Sequence, residues 1–217
     1  MKTSTEEILK GMFSRYPHLA AISGEMKAAF DLLKICFKTG HRVYVCGNGG
    51  SAADAQHIVG ELMKSFVMKR PVNQQLADNL RSLYPDEANH LISHLQGALP
   101  AHALAGETAL VTAFMNDVDP SMIYAQQLSG YMQSGDVLIA ISTSGKSDNI
   151  IKALQVATAM GGKTISLTGA AGISKKAGSD VTLAVPETET YKVQEYHLPV
   201  YHTLCLMLEN EFFTDGD

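Results

Sequence analysis

Five short apolar segments, each typical of a buried β-strand, alternate along this chain with longer segments of helical periodicity. The short segments lack the polar alternation of a strand with one face in water, so both faces of each strand should be covered. Strands of this kind, interleaved with helices, predict an α/β fold in which a central parallel sheet lies between two helical layers. The predicted strands are Arg42–Cys46, Ala101–Ala105, Asp136–Ile141, Lys163–Leu167 and Val181–Val185.

Helical periodicity occupies most of the remaining chain. From Ser4 to Lys38, apolar residues recur at three- and four-residue steps, which predicts a long leading amphipathic helix interrupted at Pro17. Its apolar stripe is the usual pattern of core packing, and a subunit interface is the alternative. The other predicted helices are Ala52–Phe66, Thr108–Met115, Tyr124–Met132, Asp148–Met160 and a final helix from about Tyr191 to Phe213.

One segment is additional to this alternation. The sequence of Pro71–Ala98 predicts one or two polar helices. They would lie between the helix Ala52–Phe66 and the strand that begins at Ala101. The segment carries His90 and His94 at i, i+4, a spacing that can bind a metal. Because no cysteine partner is close in sequence, we favour a surface or interface helix.

Length, charge and composition limit the class of protein. The 217 residues suffice for one domain with a substantial core, and no linker or repeat divides residues 1–217. Residues 1–40 form its leading helical segment and residues 71–98 an insertion. The net charge of −5 gives no field that would attract nucleic acid. The charged N-terminus and the lack of an apolar run near ~18 residues predict a cytoplasmic protein without a membrane partner.

Three cysteines stand far apart in apolar surroundings, at Cys36, Cys46 and Cys205. Their odd number and the absence of a Cys-x-x-Cys pair argue against a disulfide framework or a cysteine zinc site. We expect buried, reduced thiols.

A Gly-Asn-Gly-Gly-Ser loop, Gly47–Ser51, follows the first predicted strand. In an open parallel sheet, ligands bind where strands end and helices begin, because N–H groups point outward there and the helix dipole favours anions. The glycines allow positive φ and a close approach of the backbone to a ligand, while Asn48 and Ser51 offer donors. The loop therefore predicts a ligand pocket.

A second polar loop, Ser-Thr-Ser-Gly-Lys-Ser, follows the strand Asp136–Ile141. It places four hydroxyl groups around a helix N-terminus, which is more than helix capping requires. Four hydroxyl donors together with the backbone N–H groups of a helix N-terminus are typical of a phosphate site. The four hydroxyl-bearing residues are Ser142, Thr143, Ser144 and Ser147.

Two nucleotide motifs match these loops only in part. Gly47-x-Gly49-x-x-Ala52 satisfies the dinucleotide fingerprint, but the next strand begins near Ala101, too late for a compact unit of about 30 residues. Gly145-Lys146-Ser147 is similar to the end of a Walker A motif, whose first glycine would fall at Ala140. Both nucleotide interpretations are therefore disfavoured.

Acid and base candidates follow the first loop. His57 and Glu61 lie at i, i+4 on the helix that begins there, so both project from one face. Such a pair often serves only as a hydrogen bond on a helix surface.

The last helix offers further candidates. Gln194 and His202 are eight residues apart and share a broad stripe, while His197 is three residues from Gln194 and shares a face with it. Spacing cannot choose between the two histidines. Pro199 should remove one helical hydrogen bond and kink this segment.

Together these motifs resemble the SIS (sugar isomerase) superfamily. Cys46-GNGGS-Ala52, the following Ala-Asp-Ala-Gln-His57, and DVLIAISTSGKS are closest to its phosphoheptose isomerase branch. The similarity runs from about Arg42 to Phe212, apart from Pro71–Ala98. It implies a three-layer αβα SIS fold with about five parallel strands and long terminal helices. It further implies a sedoheptulose 7-phosphate isomerase that works through an enediol, with its site between the subunits of a homotetramer.

The resemblance also assigns roles to residues. It implies that Glu61 is the general base and His202 its acid/base partner. Some members bind zinc, one ion per subunit, through residues that correspond to His57, Glu61, Gln194 and His202. Phosphate binding would fall to Ser51, Ser142, Thr143, Ser144 and Ser147, and sugar contacts to Asn48, Gly49, Asp117 and Gln194.

The chain departs from the family pattern at one site position. Tyr191 stands where the family often has an aspartate three residues before the glutamine, which puts one substrate contact in doubt. Two alternatives remain beside the heptose isomerase. One is a non-catalytic SIS protein that binds a phosphosugar or a replication initiator. The other is a SIS isomerase or lyase for a different sugar phosphate, which usually carries other motifs or extra domains.

Overall fold

The structure, a computed structural model, describes residues 1–214. Five strands form one sheet in the order β2-β1-β3-β4-β5, and every neighbouring pair is parallel. This confirms the predicted α/β fold with a five-stranded parallel sheet. The strands are β1 (Val43–Gly47), β2 (Ala101–Ala103), β3 (Val137–Ser142), β4 (Lys163–Thr168) and β5 (Val181–Ala184).

Nine α-helices are described in residues 1–214. They are α1 (Thr3–Arg15), α2 (Ser23–Lys38), α3 (Gly50–Met63), α4 (Gln74–Leu83), α5 (Ala88–His94), α6 (Thr108–Asp117), α7 (Ile123–Tyr131), α8 (Asp148–Ala159) and α9 (Thr190–Phe213). No helix in this part of the chain is long and apolar enough to cross a membrane.

Alternate residues of the strands face two separate cores. Val43 and Val45 of β1 pack in the larger core with α1, α2, α3 and α9, whereas Tyr44 and Cys46 pack in the smaller core with α7 and α8. Because both faces of the central strands are covered, apolar side chains are favoured at every position, which explains the absence of polar alternation. The result is a three-layer arrangement.

The leading segment is two helices rather than one. A 3-10 helix, Pro17–Ile22, separates α1 from α2. Pro17 lacks an N–H and disfavours helical geometry at the residue before it, and Tyr16 accordingly leaves the helix with φ −130° and ψ 73°. Pro199, by contrast, lies inside α9, which continues through it, and Thr203 Oγ1 donates to the Pro199 carbonyl at 2.7 Å.

The segment 71–98 contains the helices α4 and α5. His90 and His94 of α5 are exposed, with their ring centroids 4.2 Å apart. Within residues 1–214, no group of three or more histidine, cysteine, aspartate and glutamate side chains is arranged to hold a metal ion. The exposure of both rings agrees with a surface or interface helix. The three cysteines are free and buried, also as expected.

A buried ion pair joins the end of α3 to α9. Arg70 Nε lies 2.7 Å from Glu209 Oε1, and both side chains are 0% exposed. The Arg70 guanidinium also donates to the carbonyl oxygens of Leu62 and Glu61, each at 2.9 Å. The Glu209 carboxylate accepts two backbone N–H groups at 2.8 and 3.0 Å. With these partners, the two charges are compensated although they lie away from water.

We expect Arg70→Met to lower the free energy of unfolding by about 3–5 kcal/mol, because it leaves the Glu209 carboxylate buried without its counter-ion. Urea denaturation of the purified variant measures the loss. Arg81→Met is the matched control, since Arg81 pairs with Asp78 at 2.9 Å with both side chains more than half exposed. The control should lose less than about 1 kcal/mol. Equal losses in the two variants would contradict this account of the buried pair.

Candidate active site

The two polar loops lie side by side at one end of the sheet. In the parallel register, Gly47 at the end of β1 is opposite Ile141 near the end of β3. A reciprocal amide pair then joins the loops, since Asn48 and Asn149 each donate to the other's carbonyl oxygen at 2.9 Å. The loops and the N-termini of α3 and α8 therefore form one continuous surface of donors, which is suited to an anion.

The loop Gly47–Ser51 requires glycine for three separate reasons. A Cβ at Gly47 would lie 2.3 Å from the Ser51 carbonyl oxygen, and one at Gly50 would lie 2.5 Å from Gln194 Nε2. Gly49 has φ +57° and ψ −121°, a conformation that L-residues rarely adopt. The close approach of Gln194 shows that the first turns of α9 pack against the start of α3. Ser51 is buried beneath the loop.

The loop Ser142–Ser147 is held by its own hydroxyls and by a close backbone contact. Ser142 Oγ donates to Ser147 Oγ at 3.1 Å, and Ser144 Oγ accepts the Lys146 N–H at 3.2 Å. Gly145 has φ +64°, and a Cβ there would lie within van der Waals overlap of the Gly172 carbonyl oxygen. The Thr143 carbonyl accepts the Gly169 N–H at 3.0 Å. The hydroxyl groups thus cluster before the N-terminus of α8, where the helix dipole favours a phosphate.

Three predicted acid/base residues meet where α3 packs on α9. His57 Nε2 lies 3.2 Å from Glu61 Oε1 and 3.5 Å from His202 Nε2. We call His57, Glu61 and His202 the histidine–glutamate cluster. Glu61 and His202 form no ion pair with each other in the described chain, so His57 is the central member. Phe66 packs on the His202 ring at a centroid distance of 5.3 Å.

The cluster lies at the boundary between core and solvent. The Glu61 side chain is 12% exposed, and Lys64 Nζ is 3.2 Å from its second oxygen. The His57 side chain is 42% exposed. Burial lowers the pKa of His202, the nearby His57 lowers it further, and the Glu61 charge opposes both. A carboxylate and two imidazoles at these distances can accept, hold and return a proton.

The structure distinguishes the two histidines that sequence spacing left open. His197 is fully buried in α9, and burial lowers its pKa to about 4, with the nearby Thr168 backbone acting in the opposite direction. His202 is only partly buried and contacts His57. His197 therefore belongs to the core and His202 to the histidine–glutamate cluster.

The remaining predicted residues are not all brought together. Gln194 packs against Gly50 at the start of α3, two helical turns before His202. Asp117 lies at the exposed end of α6 and accepts from the neighbouring Asn116 amide at 2.8 Å. No hydrogen bond within residues 1–214 joins Asp117 to another predicted site residue. Tyr191 is exposed, with Lys192 Nζ 5.7 Å from its ring centroid.

Sequence reasoning missed several residues that support the site. Tyr201 Oη lies 3.0 Å from His57 Nδ1 and donates to Asp54 Oδ1 at 3.2 Å. Asp54 precedes His57 by three residues and so shares its helix face, a signal that was available. Nothing in the sequence pattern singled out Tyr201. Tyr124, whose hydroxyl donates to the Gly47 carbonyl at 2.5 Å, was also missed.

Burial affects the proton chemistry of these supporting residues. It raises the pKa of Tyr201, and the Asp54 charge raises it further, so the hydroxyl keeps its proton at neutral pH. Burial also raises the pKa of Asp54, although the hydrogen bond from Tyr201 and the proximity of His57 act in the opposite direction.

Known proteins are similar to this chain in sequence and in fold. The model of the SIS domain matches residues 18–96 and 87–169. The phosphoheptose isomerase of Akkermansia muciniphila is 32% identical over 94% of each chain. That of Trichlorobacter lovleyi is 39% identical over 82% of this chain and 77% of its own. The structure of a phosphoheptose isomerase from Francisella tularensis superposes with a TM-score of 0.71 at 27% identity, covering 97% of this chain and 100% of that one.

These similarities define a phosphosugar-binding class of α/β protein. The chain belongs to the SIS-domain family, in its phosphoheptose isomerase branch, and the resemblance recognised in the sequence is confirmed. Its SIS fold is confirmed as well. The assignment of residues 1–217 to a single domain stays a prediction, and the last three of them lie outside the described residues.

We expect Gly47→Ala to displace the first loop, because the added Cβ would meet the Ser51 backbone rather than a flexible side chain. Overpacking of this kind costs about 1–3 kcal/mol, and binding of inorganic phosphate should weaken with it. Urea denaturation and titration calorimetry measure the two effects. Gly60→Ala on α3 is the control, with nothing within 4 Å of its Cβ, and it should be neutral or slightly stabilising. Phosphate binding by Gly47→Ala at the wild-type level would show that the loop tolerates the change.

Proposed function

We propose that this protein is an aldose–ketose isomerase that converts sedoheptulose 7-phosphate to D-glycero-D-manno-heptose 7-phosphate. One observation carries the proposal. The helix α3 begins in the donor-rich loop and carries His57 and Glu61 further along, where His202 meets them. The rise of an α-helix separates Gly50 from His57 by about 10 Å, so a phosphate and a reacting carbon can occupy opposite ends of one site.

Aldose–ketose isomerisation needs two proton-transfer groups from the protein. An aldose–ketose isomerase removes a proton from the carbon beside the carbonyl and returns it to the neighbouring carbon, while a second group moves protons between the two oxygens. Glu61 is the proposed base, because its carboxylate is largely shielded from water and lies 3.2 Å from the His57 imidazole. His202 is the proposed acid/base partner at the oxygens, and the intermediate is an enediol.

The proposed substrate contacts follow the loops. The phosphate would be bound by amides and hydroxyls at the N-termini of α3 and α8, where both helix dipoles favour it. The sugar would be bound by side chains at the ends of α6 and α9 and by the first loop. The residues proposed to bind the phosphate are Ser51, Ser142, Thr143, Ser144 and Ser147. The residues proposed to contact the sugar are Asn48, Gly49, Asp117 and Gln194.

The seven-carbon substrate is inferred from the relatives. Proteins at 32–39% identity over most of the chain are named phosphoheptose isomerases. A non-catalytic phosphosugar-binding or initiator-binding role would need the loops but not the histidine–glutamate cluster. The contacts of His57 with both Glu61 and His202 therefore favour the enzyme.

We further propose that the cluster binds one zinc ion per subunit. Zinc–ligand bonds of 2.0–2.2 Å place neighbouring ligands of a tetrahedral site about 3.4 Å apart. The separations of His57 Nε2 from Glu61 Oε1 and His202 Nε2, 3.2 and 3.5 Å, agree with that spacing. In their present positions the side chains of residues 1–214 form no group that could hold a metal ion. Glu61 and His202 would therefore have to approach each other on binding, and Gln194 would supply an amide oxygen. The bound ion would act as a Lewis acid on the substrate oxygens.

An oligomer is proposed on separate grounds. Helix α6 has the sequence TALVTAFMND but contains no buried residue, and Leu110, Met115 and the adjacent Val118 are exposed. Exposed apolar side chains at this density favour a protein partner. Asp117 ends the same helix, so a second copy that covers α6 would also enclose a proposed sugar contact. We propose a homotetramer with shared sites, located in the cytoplasm.

Glu61→Gln should lower turnover of sedoheptulose 7-phosphate by about 10²–10⁴-fold, because the amide cannot accept the carbon-bound proton. NMR detection of the aldoheptose 7-phosphate measures turnover, and the variant should keep its fold by circular dichroism. Glu25→Gln on the exposed part of α2 is the matched control and should retain wild-type turnover. No turnover by the wild-type protein would overturn the proposed reaction. Full turnover by Glu61→Gln would overturn only the choice of base.

Elemental analysis should find about one zinc ion per chain, bound with the tetrahedral nitrogen and oxygen donors that zinc prefers. Removal with a chelator should reduce turnover, and added zinc should restore it. His202→Gln should lose zinc, whereas His94→Gln, on the surface pair of α5, should keep it. Wild-type turnover that is unaffected by complete zinc removal would contradict the zinc proposal and leave the isomerase proposal in place.

A further inference from the structure

Two carboxamide side chains connect the polar loops beyond the last residue pair of the β1–β3 ladder, Gly47 with Ile141. Asn48 Nδ2 donates to Asn149 Oδ1 at 2.9 Å, and Asn149 Nδ2 donates to Asn48 Oδ1 at the same distance. We call these two side chains the amide bridge. In the described chain, no other side-chain hydrogen bond joins residues 48–51 to residues 142–149.

Each carboxamide of the amide bridge keeps an unused donor. A carboxamide has two N–H groups and one oxygen with two lone pairs. The bridge uses one N–H group and one lone pair of each side chain. Because the pair is reciprocal, this count is the same whichever way the two carboxamides are turned. The remaining N–H groups have no acceptor among residues 1–214, so the bridge adds donors to the anion-binding surface.

The orientation of Asn48 depends on Asn149. Its other polar neighbour is Tyr124, which is 4% exposed and whose hydroxyl lies 3.4 Å from Asn48 Oδ1. That hydroxyl has one proton and donates it to the Gly47 carbonyl at 2.5 Å. The short contact with Gly47 uses the proton, so Tyr124 fixes the loop backbone and leaves the Asn48 side chain to be held by Asn149.

A phosphate group needs both loops at once. Its proposed ligands are Ser51 on the first loop and residues 142–147 on the second. Loops that are not held together would have to be ordered by the ligand, and that ordering reduces the affinity. The amide bridge joins the loops without any ligand, close to their ends, since Asn48 precedes Ser51 by three residues and Asn149 follows Ser147 by two.

We propose that Asn149 is a positioning residue of the phosphate site, which acts through Asn48 and holds the two loops at the spacing that one phosphate group requires. The inference deepens the proposed phosphate site and rests on it. A residue that acts through another has a specific signature, because removing either partner, or both, removes the same interaction.

The test is a double-mutant cycle on the binding of inorganic phosphate, measured by titration calorimetry. Inorganic phosphate has no sugar, so the proposed sugar contact of Asn48 does not enter the result. We expect Asn149→Ala and Asn48→Ala each to weaken phosphate binding by about 3–10-fold, the cost of ordering a loop and its side chains. The double variant should bind phosphate no more weakly than either single variant.

Asn79→Ala is the matched control. Asn79 accepts the Gln75 side-chain amide at 3.1 Å on the exposed surface of α4, so this change also removes a hydrogen bond between two carboxamides. It should leave the phosphate affinity at the wild-type level. In the isomerase assay, Asn149→Ala should raise KM for the sugar phosphate more than it lowers kcat, because the amide bridge acts on binding rather than on proton transfer.

The outcomes separate this inference from the proposed function. Wild-type phosphate affinity in Asn149→Ala, or a double variant in which the two losses multiply, would overturn the inference and leave the phosphate site in place. No phosphate binding by the wild-type protein would overturn the site and the inference together. The expected cycle in a protein without isomerase activity would overturn the reaction alone. If Asn149→Ala does not fold, Asn149→Ser takes its place, because its shorter side chain cannot form the reciprocal pair.

Discussion

The site depends on the fixed position of α3 against α9, and the buried pair of Arg70 and Glu209 provides it. Arg70 binds the Glu61 and Leu62 carbonyls at the end of α3, while Glu209 belongs to α9 and accepts the backbone N–H groups of residues 66 and 67. One ion pair therefore ties the helix that carries Glu61 to the helix that carries His202. Such a pair adds little net stability, because the cost of taking both charges out of water offsets much of their attraction.

The parallel ladder fixes the other half of the site. Because β1 and β3 are neighbours in register, the loops that follow them open at the same edge of the sheet. The amide pair of Asn48 and Asn149 then holds the two loops together. The phosphate end of the site thus depends on backbone hydrogen bonds in the sheet, and the reactive end depends on helix packing. Helix α3 connects the two ends.

Much of the fold was predictable because its signals are local. Apolar strands without alternation indicated a doubly covered sheet, and strand ends differ from the predicted bounds by one or two residues. The interruption of the leading helix at Pro17 is also a local effect, and it was predicted correctly. The final helix was also predicted through Pro199, and α9 does continue through it, while the kink expected there stays a prediction. The packing of a 24-residue helix in the core outweighs the loss of one hydrogen bond.

For the site, the sequence by itself determined the chemical inventory: two donor-rich loops after strands, and His57 with Glu61 on one helix face. Glycine and proline constraints and helical periodicity act within a few residues, so they can be read from the chain. Only the tertiary structure decided between His197 and His202, joined His57 to Tyr201 and Asp54, and paired Arg70 with Glu209. Those choices depend on which residues pack across α3 and α9, more than a hundred positions apart in sequence, and no local pattern encodes that packing.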